Sequence, residues 1–152
     1  RELMSMEKTE FLLTHKDGIK KFYIINPDFP YYNEFRSIFI KSNGLGHILF
    51  ENKKDVGEIK FAVLSHTYLN RETSEQRNPD MLVVGTPNME KLDELVRQAE
   101  ALEGRQIFYV VMSERELDSA KRRKDLLIYS LSVLPRSVVI GTEEQFVETV
   151  AM

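Results

Sequence analysis

The sequence predicts a mixed α/β (α+β) fold: a small mixed β-sheet with flanking helices, preceded by a β-hairpin and linker helices. Three observations carry that prediction. Four short apolar runs, at Ile59 to Ser65, Met81 to Val84, Ile107 to Met112 and Ser137 to Ile140, have the length and β-branched content of strands. Between them lie segments whose apolar residues recur at helical spacing. Upstream, two β-rich segments flank Asp17-Gly18, a dipeptide suited to a tight hairpin turn.

The elements follow in order. Phe11 to Lys16 and Ile19 to Ile25 predict a hairpin joined by a type I′ turn at Asp17-Gly18, with Lys16, Lys20 and Lys21 near its tip. Asn26-Pro27-Asp28-Phe29-Pro30 breaks the second strand, because proline removes a donor and keeps its predecessor out of helical φ/ψ. Phe35, Ile38 and Phe39 predict a helix from about Tyr31 to Ser42, stopped by Asn43-Gly44, and a second short helix follows from about Leu45 to Asn52. From Glu58 the α/β pattern begins, with a strand over Ile59 to Ser65, a polar stretch from His66 to Pro79 and a strand from Met81 that ends at Gly85. Thr86-Pro87 predicts a helix start, since proline fits a first turn. That helix places Leu92, Leu95, Val96, Ala99 and Leu102 on one face and stops at Gly104. A strand over Ile107 to Met112, a charged helix from about Glu114 to Lys124 and a helix over Leu126 to Leu134 come next. Ser137 to Ile140 is the last strand, and Thr142 caps a final helix carrying Phe146 and Val150.

The 152 residues suit one domain, or one domain with a piece of another, and no disulfide or metal is needed to stabilise a core of that size. The absence of cysteine excludes disulfides, thiolate nucleophiles, Cys-type zinc sites and iron–sulfur clusters. A net charge of −3 argues against a surface devoted wholly to nucleic acid, while leaving room for a local basic contact. The charge is uneven: residues 1–54 hold 9 Lys/Arg against 7 Asp/Glu, and residues 55–152 hold 12 against 17. Two regions, 1–54 and 55–152, are expected on this basis. No apolar run approaches the roughly 18 residues of a membrane span. Arg1 to Glu10 alternates charges with methionines instead of building a signal-peptide core, so a cytoplasmic protein is expected. Arg1 in place of an initiator methionine points to a piece of a longer chain.

The strand, 14-residue polar stretch and second strand opening Asn78-Pro79-Asp80-Met81-Leu82-Val83-Val84-Gly85 resemble the minimal nucleotidyltransferase domains of bacteria and archaea, within the DNA polymerase β superfamily. In that family a Gly-Ser pair ends the first strand and opens a helix that holds nucleotide phosphates. An Asp-x-Asp pair then binds two Mg²⁺ ions, helped by a third carboxylate on a later strand. Two metals about 4 Å apart require converging carboxylates to clamp the attacking and leaving oxygens. The resemblance covers Ile59 to about Ile140. At the Gly-Ser position stands Leu64-Ser65, at the following arginine and glycine Tyr68 and Leu69, and at the metal pair Asn78 and Asp80. The expected third acid is missing from Ile107 to Met112. The resemblance therefore implies the fold without the activity: Ser65, Asn78 and Asp80 as vestigial catalytic positions, Ser65 the nucleotide-facing one and Asp80 the single metal-type carboxylate. No cofactor is expected on this reading. An active enzyme using Mg²⁺ and nucleotide would need Asp80 with other acids such as Glu72, Glu75 or Glu114.

Gly18, Lys20, Lys21, Tyr23, Ile25, Asn26 and the Lys41 to Leu45 segment resemble the wing and linker helix of an arsenical-resistance-repressor-type winged-helix transcriptional regulator. Some such regulators carry a nucleotidyltransferase domain at their C-terminus. The resemblance implies DNA as a partner of the full-length regulator, with Lys16, Lys20 and Lys21 on its phosphates. The recognition helix would precede Arg1. A homodimer and, from another class, an antitoxin-like module that binds a partner protein are further expectations.

Other features read as structural. His15, His47 and His66 share no metal-ligand spacing, and Gly44-Leu45-Gly46 lacks the third glycine of a dinucleotide fingerprint. Lys121-Arg122-Arg123-Lys124 is surrounded by Glu114, Glu116, Asp118 and Asp125, as on a solvated helix face. Phe29, Tyr31, Tyr32, Phe35, Phe39 and Phe50 form a dense aromatic cluster suited to core packing or to a dimer or domain contact.

Overall fold

A computed structural model of the protein describes residues 1–74 and 78–151. It is mixed α/β, as expected, and divides into two compact units, residues 1–39 and 40–152.

The first unit opens with helix α1 (Glu2–Lys8), followed by strands β1 (Leu12–Asp17) and β2 (Lys20–Ile25) paired antiparallel. Asp17 pairs with Lys20, so the turn residues are Gly18 and Ile19, one position later than the expected Asp17-Gly18. Gly18 has φ 59° and Ile19 has no positive φ. A positive φ at the first central position alone marks a type II′ turn, which glycine there allows. Moving the turn by one residue shifts every cross-strand partner by two, so each strand keeps its faces but meets different neighbours. It sets Lys16 directly across from Lys21. Phe11, Phe29 and Phe35 then meet edge-on, with centroids 5.0 and 4.9 Å from Phe11. Helix α2 (Tyr32–Lys41) begins here and runs across the division between the units. Leu12 is the one buried apolar residue among those described in this unit.

The second unit is built on a four-stranded sheet. Helix α3 (Gly44–Glu51) precedes β3 (Gly57–Leu64), and a single helical turn α4 (His66–Leu69) follows that strand. Then come β4 (Met81–Pro87), α5 (Met89–Glu103), β5 (Tyr109–Met112), α6 (Glu114–Arg122), α7 (Leu126–Val133), β6 (Ser137–Ile140) and α8 (Glu143–Val150). The strand order is β5-β4-β3-β6, with β3 antiparallel to both β4 and β6 and β4 parallel to β5.

Alternation of side chains divides β3 and β4 between two cores. Ala62, Leu64, Met81 and Val83 pack with Leu45 and Leu49 of α3 and Leu92, Leu95, Val96 and Ala99 of α5. Phe61, Val63, Leu82 and Val84 pack on the other face with Leu117, Ile128, Leu131, Phe146 and Val150 of α6, α7 and α8. Strands buried on both faces have no polar alternation, which is why Phe61 to Leu64 and Met81 to Val84 are unbroken apolar runs. Gly85 has φ +140°, and a Cβ there would lie 2.3 Å from the Glu58 carbonyl oxygen. Only glycine lets β4 pass that close beside the register shift in β3.

Several boundaries differ from expectation. Leu45 and Leu49 place α3 in the core of the second unit, although the charge split groups it with the first. At the observed division the first unit carries 6 Lys/Arg against 6 Asp/Glu, so its expected positive charge disappears. Asn88, not Thr86, caps α5 through its side chain, and Pro87 is the last residue of β4. Leu102, expected on the buried face of α5, is 75% exposed because it lies beyond the stripe that meets the sheet.

Candidate functional site

Ser65 and Asp80, fifteen positions apart in the chain, meet where β3 ends and β4 begins. The antiparallel pairing of Leu64 with Met81 brings them together, and the Ser65 amide donates to the Asp80 carbonyl at 2.8 Å. Both side chains are buried. The Ser65 hydroxyl donates to the Pro79 carbonyl at 2.7 Å and accepts from the Tyr68 amide at 3.5 Å as the N-cap of α4. Asn78 is exposed at the surface.

Asp80 is 0% exposed, and each of its oxygens has a partner. Arg105 Nη1 donates to Oδ1 at 3.1 Å, and the Phe108 amide donates to Oδ2 at 3.0 Å. A buried carboxylate needs such compensation, because leaving water costs a charge several kcal/mol. Arg105 arrives from the loop after α5, its guanidinium 5.0 Å from the Tyr68 ring centroid and its Nε 3.5 Å from Glu103 Oε2. Glu103 Oε1 accepts from the Tyr68 hydroxyl at 2.6 Å and from the Leu45 amide at 3.0 Å. That second bond seats a carboxylate on the first turn of α3, where the helix dipole favours it. Burial, and then the bond to Glu103 and its charge, push the Tyr68 hydroxyl well above the usual phenol range. The network Asp80, Arg105, Glu103 and Tyr68 therefore ties β4, the α5–β5 loop and the starts of α3 and α4 into one buried joint.

The other acids proposed to assist Asp80 lie elsewhere. Glu114 follows the C-terminal end of β5, while Asp80 precedes the N-terminal end of the parallel β4, so a strand length separates them. Glu114 instead pairs with Lys60 at 2.5 Å, beside an open crevice of about 630 Å³ lined by Gly57, Lys60, Gly85, Thr86 and Arg115. Glu72 accepts from the Asn70 amide group at 3.2 Å and lies 3.6 Å from His66 Nε2. Glu75 lies outside the described residues. Among the described residues no three His, Asp or Glu side chains are grouped so that they could hold a metal ion.

The hairpin lysines do not form one patch. Lys21 donates to Glu7 of α1 at 2.9 Å, and this bond holds the Glu7 carboxyl below its ordinary range. Lys20 stands opposite Asp17 in the strand register. Lys16 is exposed and carries no such cross-strand acid. The feature least visible in the sequence is Arg105: it lies 25 positions from Asp80, and nothing in its spacing announces the pair.

No known protein family, no curated protein and no solved structure matches this chain. Among the described residues no helix is long and apolar enough to cross a membrane.

Proposed function

We propose that the chain is part of a cytoplasmic, DNA-binding transcriptional regulator whose second unit has a nucleotidyltransferase-like layout and serves ligand sensing or assembly, without catalysing nucleotidyl transfer. One observation carries the non-catalytic part. The single carboxylate at the metal position, Asp80, is itself fully buried and has both oxygens committed, to Arg105 and to the Phe108 amide. A catalytic metal carboxylate needs a free lone pair facing substrate. The order β3, α4, β4 with Ser65 capping the short helix supports the layout.

The DNA part rests on the hairpin tip. Lys20 and Asp17 flank a two-residue turn whose Ile19 side chain is fully exposed, and Lys16 stands one residue further back on the other face of the hairpin, so the tip offers one exposed ammonium group on each face to a phosphate backbone. With 6 cations balancing 6 anions in that unit, such a contact is local and salt-sensitive. Fluorescence anisotropy with labelled duplex DNA over a salt series is the test. Affinity that falls with salt and drops on Lys16→Ala/Lys20→Ala is expected. Identical binding by that double variant ends the hairpin assignment. Transfer of label from α-labelled ATP in the presence of Mg²⁺ would overturn the non-catalytic reading.

A further inference from the structure

Helix α7, Leu-Leu-Ile-Tyr-Ser-Leu-Ser-Val, contains no charged residue. Ile128 and Leu131 bury one side of it in the second core. On the opposite side Leu126, Tyr129 and Val133 recur at helical spacing and are 81%, 50% and 57% exposed. A helix apolar all round is normally covered all round. Single exposed apolar residues need no explanation, whereas a contiguous stripe does.

The charges around this stripe are arranged by end. Arg136 donates to the Leu131 carbonyl at 2.8 Å and to Glu143 at 2.5 Å, joining the C-terminal end of α7 to the N-terminal end of α8. Lys121 donates to the Thr149 carbonyl, joining the other end of α8 to the close of α6, from which α7 begins. The two helices are thus antiparallel. Exposed Arg122, Arg123 and Lys124 stand at the N-terminal end of the stripe, tempered by Asp125, the N-cap, and by Glu148. Glu143 and Glu144 stand at the other end, tempered by Arg136.

We infer that the outer face of α7 is the surface on which a second copy of this chain packs about a twofold axis. It rests on the assembly part of the reading above and names the face that performs it. A twofold contact is self-complementary, so it requires that a patch match itself when reversed. Reversal sets the basic end of one copy against the acidic end of the other and runs the two α7 dipoles antiparallel. An anionic membrane surface would instead favour basic residues all along the rim. The stripe is short, since an eight-residue helix is about 12 Å long. Association is therefore expected near the micromolar end of the range.

Sedimentation velocity on the full chain, from roughly 5 to 500 µM, tests this. The unaltered chain should dimerise across that series. Leu126→Glu and Val133→Glu change exposed positions and should raise the dissociation constant by at least about tenfold with the circular-dichroism melt unchanged. Arg123→Glu and Glu144→Arg should each weaken the dimer, and the double variant should recover it. A monomer throughout the series removes this interface and the assembly reading together. A dimer indifferent to Val133→Glu and Leu126→Glu leaves assembly standing and overturns this face alone. A monomer that instead co-floats with phosphatidylserine vesicles, and loses them on Val133→Glu, assigns the face to lipid and overturns the dimer.

Discussion

The joint at Asp80 and the tip of the β1–β2 hairpin are the two places where residue chemistry suggests function, and they are built in opposite ways. At Asp80 the charge is fully buried and met by Arg105 and a backbone amide. At the tip Lys16 and Lys20 stand in solvent on opposite faces near the exposed Ile19, in a unit with a single buried apolar residue among those described, Leu12. The contrast separates stability from function. Changes at the joint should act on folding, and changes at the tip should act on binding with the fold untouched.

The largest effect should come from Asp80→Ala, which leaves Arg105 with Glu103 as its remaining acid and the Phe108 amide without its acceptor. A loss of about 3–5 kcal/mol is expected in urea unfolding followed by circular dichroism. If the loss is under about 1 kcal/mol, the joint is not structural. The pair should also be coupled: Asp80→Asn with Arg105→Met should cost less than the two single changes added together, because the Asp80–Arg105 charge pair is then removed whole and only the Glu103 contact of Arg105 is lost besides. Additive losses would mean that Arg105 acts chiefly through Glu103 and not through Asp80.

Next in size is Tyr68→Phe, which removes one donor from Glu103 and should cost about 1–2 kcal/mol. Tyr68 and Tyr109 also make the stability depend on high pH. Burial, then the bond to Asp93, pushes Tyr109 up to about 12, and the folded protein therefore holds both phenol protons more tightly than the unfolded chain. The stabilisation is complete below the unfolded value near 10 and is lost as the pH rises from there toward 12. Melting temperature should fall over that window in the native chain, and less steeply in Tyr109→Phe. Equal slopes would place the phenol in water. The smallest effect on folding belongs to the tip. Lys16→Ala/Lys20→Ala should shift stability by no more than about 0.5 kcal/mol, yet lower the salt slope of DNA binding by about 2.

The sequence made the second unit legible wherever hydrophobic patterning dominates. Phe61 to Leu64, Met81 to Val84, the face of α5 from Leu92 to Ala99 and the Thr142 cap of α8 all stand as read. Short elements escaped, since α1 alternates charge with methionine and α4 is a single turn held by Ser65. The hairpin slipped by one residue because Gly18 can occupy either central position of a primed turn, and the choice falls to pairing along the strands. Domain division escaped as well. Net charge grouped α3 with the hairpin, whereas Leu45 and Leu49 bind it to the sheet. At the site, the identity of Asp80 was readable and its role was not: a carboxylate before a strand looks the same on a metal as on an arginine 25 positions away.

The claim that the Asp80 joint is closed is tested most directly by melting the unaltered protein with and without Mg²⁺ and ATP. Ligand at 100 times its dissociation constant would add about 2.7 kcal/mol, equivalent to several degrees in a chain of this length. The structure predicts no Mg²⁺-dependent shift. A rise of several degrees that requires both Mg²⁺ and nucleotide would contradict it and reopen Asp80 as a metal ligand.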